Sequence, residues 1–153
     1  MMDTVITERR EAALSSAMRV EQLADSLSQA AATLHGAVMR AIRKRASQGE
    51  NGISLTQAQA VFALEVALRQ QANQLYADAA GHTVAGLDAA QRQLSGLLDT
   101  VRQRIARHDD VSHWILLATG LLNLGRAVLA RSPERILATL DAVRERLQEV
   151  AAQ

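Results

Sequence analysis

One uninterrupted run constrains this chain more than any other feature. From about Thr4 to Ala46 there is no proline, and the only glycine is Gly36. Apolar side chains recur along it at Ala13, Ala17, Val20, Ala24, Leu27, Ala31, Leu34, Val38 and Ala41, in alternating steps of four and three. Such steps match the period of a helix seam, whereas a strand repeats every two residues. A second lane, Leu23, Ala30 and Ala37, widens the apolar face. The pattern predicts a helix over about 4–46, roughly 60 Å long at 1.5 Å per residue.

A helix of that length must break or overhang its neighbours. Gly36 and the pair Ser15-Ser16 are the candidate breaks. An overhanging seam would need another chain to cover it, so Val20, Leu23, Leu27, Leu34 and Val38 are candidate interface residues. A homo-oligomer follows as the expectation, with a dimer favoured and a coiled-coil-like contact along this helix. The seam has no polar residue such as Asn to fix register or partner number.

The rest of the chain reads as four shorter helices. In "RAIRKRASQGENGIS" the cations Arg40, Arg43, Lys44 and Arg45 suit a helix C-terminus, and Gly49, Asn51 and Gly52 end it. Ser54 with Gln57 is a capping-box pattern that opens a helix over about 55–80, whose middle, "AVFALEVAL", is apolar on almost every side. A third helix is expected over about 84–107. The caps in "HDDVS" start a fourth, ending near Ala130, and Ser132-Pro133-Glu134 starts a fifth. The fold expected is an all-α five-helix bundle in a single domain over 1–153. Short loops should make sequence neighbours antiparallel.

Composition fits this picture and narrows function. There are 153 residues, 48% of them hydrophobic, but only one Phe, one Tyr and one Trp, so the core must be aliphatic. Without cysteine, disulfides and thiolate chemistry are excluded. A net charge of +1 gives no global field to recruit nucleic acid or anionic lipid. All but one of the 17 basic residues are Arg, which with the abundance of Ala suggests a GC-rich bacterial genome. The charged start "MMDTVITERREAAL" lacks the apolar run of a secretory signal, so a cytoplasmic location is expected.

The stretch "WILLATGLLNLG", Trp114 to Gly125, is the most apolar. Its twelve residues would span about 18 Å as a helix, too little for a hydrocarbon core near 30 Å, so no membrane span is expected. Thr119, Asn123 and Arg126 form one thin polar strip on it, and the helix is expected at the bundle's centre.

Few residues suggest chemistry. Glu65 stands where the pattern calls for an apolar side chain, so it must be paired, with Arg69 at i+4 as the local partner and Asn123 and Arg126 as distant ones. These four are candidate buried polar residues. They serve either structure or a small-molecule site in which Glu65 acts as acid, base or ligand. His108, Asp109, Asp110 and His113 resemble a metal cluster in letters only, since His108 and His113 would point apart on a helix, and Asp109 and Asp110 read more simply as caps. His35 and His82 have no visible partner. Arg40, Arg43 and Lys44 could meet nucleic acid, yet there is no aromatic platform beside them and such binding is not expected. No catalytic residue, cofactor or metal is assigned. Gly86, Gly96, Gly120 and Gly125 inside helices imply close helix approach. The leading expectation is a non-enzymatic interaction protein: an adaptor, a small chaperone or a component of a bacterial or phage assembly. A ligand-binding bundle or enzyme with a site at Glu65, Asn123 and Arg126 is the alternative.

Overall fold

The computed structural model describes residues 12–48 and 52–152. Five α-helices follow one another: α1 (Ala17–Gln48), α2 (Leu55–Ala77), α3 (Gln91–Arg107), α4 (Val111–Leu129) and α5 (Pro133–Ala152), with a short 3-10 turn at Ala80–His82. No strand occurs among the described residues, and the all-α bundle with its longest helix first is as the sequence implies.

The helices begin where local chemistry dictates. Ser54 Oγ accepts the Gln57 N–H at 3.1 Å while Gln57 Oε1 accepts the Ser54 N–H at 3.0 Å, completing the capping box. Asp110 caps α4 through the Ser112 N–H at 2.9 Å. Ser132 Oγ accepts from the Arg135 N–H at 3.3 Å, and Pro133 takes the first position of α5.

Two expected boundaries move. α1 starts at Ala17 rather than near Thr4, and of the two candidate breaks it is the serine pair that acts: Ser16 Oγ accepts the Arg19 N–H at 3.3 Å, and α1 runs through Gly36 unbroken. Residues 4–11, with Gly49 and Asn51, lie outside the described residues. α3 starts at Gln91 rather than Val84, because Gly86 takes φ +70 and residues 83–90 form an irregular connection. Val84 and Leu87 are nevertheless buried, each only 4% exposed, which is why their spacing imitates a helix stripe.

That connection is pinned by the segment before α1. Ala13 N–H donates to Ala89 O at 2.8 Å, and Val84 N–H to Leu14 O at 2.8 Å. Leu14 has φ 62, a left-handed backbone that costs a β-carbon-bearing residue about 1–2 kcal/mol. Its side chain is fully buried, a gain of about 1.5–3 kcal/mol that offsets the strain. The Gln91 side chain completes the tie, its Oε1 accepting the Leu14 N–H at 2.9 Å and its Nε2 donating to Arg19 O at 3.2 Å.

α1 pairs with α2, and α4 with α5, as hairpins. Contacts of Asp25 with Tyr76, His35 with Glu65 and Arg45 with Ile53 run in opposite directions along α1 and α2, so these two are antiparallel. α3 packs on α1, and α4 on α2. α4 is central: ten of its residues are buried, from Trp114 to Val128, and the Trp114 indole N–H donates to His108 O at 2.7 Å. Where α4 meets α5, Gly120 lets Val143 and Arg146 approach. Where it meets α2, Gly125 admits Gln71. Of the four glycines taken as close-approach points, Gly120 and Gly125 serve that role, whereas Gly96 faces open space and Gly86 lies in the connection.

The seam of α1 is filled from within the chain. Val20, Leu23, Leu27, Leu34 and Val38 are each 0–1% exposed and belong to one contiguous aliphatic core.

Candidate functional site

α2 departs most from what a helix in its position should be. A helix on the outside of a bundle normally turns charged side chains to water, and one that is apolar all round normally lies inside. α2 has 23 residues and only two charges, Glu65 and Arg69, yet it packs chiefly against α1 on one flank and α4 on the other, leaving its third side exposed. Leu55 at 68%, Val66 at 54% and Tyr76 at 41% are three of the four exposed large hydrophobic residues among those described. Gln59, Gln70, Asn73 and Ala77 are also exposed on α2. Leu55, Gln59, Phe62, Val66, Gln70, Asn73 and Ala77 follow in steps of three and four, so they share one face. By contrast, the exposed positions of α5 include Glu134, Arg135, Asp141, Arg144, Glu145 and Glu149.

The two charges of α2 sit at the border of this face, towards α1. Glu65 Oε1 accepts from Arg69 Nε and Nη2, each at 3.3 Å, and His35 Nδ1 lies 3.1 Å from Oε2. The Glu65 side chain is 12% accessible and Arg69 46%, so the carboxylate is largely covered and the guanidinium reaches water. The His35 ring lies 6.1 Å from the Phe62 ring, tilted by 53°. The i+4 partner is the one the sequence implies. His35 is a partner that sequence spacing does not reveal, because it depends on the register between two helices. Asn123 is half-buried and Arg126 exposed on α4, and among the described residues no hydrogen bond joins either to Glu65.

At the N-terminal end of α2 the apolar face deepens into a groove of about 220 Å³ between α1 and α2, lined by Ile42, Ile53, Leu55, Ala58 and Phe62. Arg45 closes one wall and donates from Nη1 to Ile53 O at 2.7 Å. The adjoining basic turn is partly engaged: Lys44 Nζ lies 3.1 Å from Asp109 Oδ2, while Arg40 and Arg43 are exposed.

The histidine and aspartate cluster is divided among structural duties. Asp109 meets Lys44 and Asp110 caps α4. His113 Nε2 lies 3.6 Å from Asp110 Oδ2, and its ring meets His108 edge-on at 6.0 Å. His82 Nδ1 lies 2.7 Å from Asp78 O. Among the described residues no three His, Asp or Glu side chains are grouped to hold a metal ion, and no helix is long and apolar enough to cross a membrane.

Comparison of the chain with protein-family models, with curated proteins and with solved structures found no match in any of the three.

Proposed function

We propose that this protein is a non-enzymatic helical interaction protein, of the adaptor, small-chaperone or assembly-component kind, and that its contact surface is the outward face of α2. The observation that carries the reading is the near absence of charge on that face, where Leu55 and Val66 stand more than half exposed. Exposed apolar residues on one uncharged helix face lose free energy to water until another surface covers them, which is the physical mark of a contact site. The seam of α1, the other candidate, is occupied by the protein's own core, so α2 is the better placed surface.

Site-specific photo-crosslinking in the native host tests this. A photoreactive residue at Ala63 or Gln70, both exposed on α2, is expected to yield protein adducts, while one at Glu145 on α5 yields none. Equal labelling from both helices, or none from α2, would overturn the reading.

A further inference from the structure

We propose that the partner of the α2 face is a second copy of this chain, docked antiparallel about a two-fold axis at Val66. The proposal rests on the reading of α2 as a contact surface and adds the identity of what covers it. A two-fold interface must be complementary to itself, because each residue i that meets j also has its j meeting i. With Val66 on the axis, the face pairs Leu55 with Ala77, Gln59 with Asn73 and Phe62 with Gln70. Leu55 falls opposite Ala77, a large apolar group against a small one. Gln59 falls opposite Asn73, so two exposed amides face each other and can exchange hydrogen bonds.

Charge supports the same register. In an antiparallel helix pair like flanks face each other, so the flank carrying Glu65 and Arg69 meets the same flank of the second copy. Arg69 then lies within two residues of the opposing Glu65, about 3 Å along the axis, a distance its side chain spans easily. Each ion pair within a chain can thus be joined across the interface into a four-charge network, centred on the axis and largely shielded from water. A parallel arrangement would instead set this flank against the opposite, uncharged flank of the second copy and form no such network.

Size sets the strength. A 23-residue helix is about 35 Å long, and a face roughly 10 Å wide covers about 350 Å² per copy. That is less than half of the roughly 800 Å² per partner of a standard stable interface. The dimer is therefore weak and reversible, and protein concentration sets how much of it forms.

The test uses the full chain, whose lack of cysteine makes single-cysteine variants clean. Sedimentation from 5 to about 500 µM should show a mass rising from monomer towards dimer, since interfaces of this size are weak. Val66→Glu should hold the protein at monomer mass with an unchanged far-UV spectrum, Val66 being exposed in the monomer. Val66→Cys should form a disulfide-linked dimer at least tenfold faster than Asp141→Cys on α5. Glu65→Arg and Arg69→Glu should each weaken the homodimer, and an equimolar mixture of the two variants should dimerise again, an outcome that a purely structural role of the pair within one chain does not produce, since neither chain regains its own ion pair. A strict monomer throughout this range overturns the proposal, as does a dimer indifferent to Val66→Glu. If the purified chain stays monomeric while α2 crosslinks a different protein in the host, the second copy is refuted and the contact-surface reading stands.

Discussion

Gly125 and Gln71 share one volume: a Cβ on Gly125 would lie 2.0 Å from Gln71 Oε1 and 2.7 Å from its Cδ. Gln71 is 7% exposed and is held there by its Nε2, which donates to Leu122 O at 2.9 Å. Gly125→Ala gains up to about 1 kcal/mol of helix propensity but overpacks a buried contact, at about 1–3 kcal/mol. Overpacking wins, so urea denaturation should show a net loss. Adding Gln71→Ala makes room for the new methyl, and the double-mutant cycle should give a coupling of at least about 1 kcal/mol. Gly96→Ala is the control: nothing lies within 4 Å of its Cβ, and a stabilisation of about 0.5–1 kcal/mol is expected. Additive effects of the Gly125 and Gln71 substitutions would refute the shared volume.

Gln91→Ala should cost about 1–3 kcal/mol, because it leaves the buried Leu14 N–H without its acceptor and loosens a left-handed residue that only its surroundings hold in place. Hydrogen exchange locates the effect. The Leu14 and Val84 amides should lose protection together, since the Leu14 carbonyl holds the latter. Unchanged protection at both would show that the tie does not depend on Gln91.

Tyr76 is the only tyrosine, so phenolate absorbance reports it alone. Burial raises its pKa above the ordinary 10.0, and donation of its hydroxyl proton to Asp25 raises it further. A phenol whose folded pKa lies above its unfolded one stabilises the fold fully below pH 10.0, and that contribution is lost as pH rises through the folded value. The spectroscopic midpoint is expected above 10.0, moving down in Asp25→Asn. A midpoint at or below the ordinary value would show that the Tyr76 hydroxyl is not held against Asp25 in solution.

Sequence periodicity conveyed most of this architecture and little of its polar wiring. The starts of α2, α4 and α5 were legible because Ser54, Asp110 and Ser132-Pro133 act within a few residues of themselves. The 83–90 connection was not, since buried Val84 and Leu87 copy a helical spacing while lying in an irregular segment that a separate part of the chain holds. Gln71 and Gln91 were missed because an isolated Gln in an amphipathic helix usually faces water. Only the tertiary fold puts them opposite the Leu122 carbonyl and the Leu14 amide. The neutrality of α2 was visible as letters, but which of its sides stays uncovered depends on where α1 and α4 settle.

The Leu14 to Gln91 bond spans 77 residues of sequence, whereas the α1–α2 and α4–α5 hairpins join near neighbours. Contacts between near neighbours form early because little chain entropy is lost in closing them, and a closure of this span waits for the helices it connects. Residues 12–15 therefore act as the latch of the folding reaction, the last part to close on the way in. The same segment should be the first to open under mechanical load or a protease, while the two hairpins still hold.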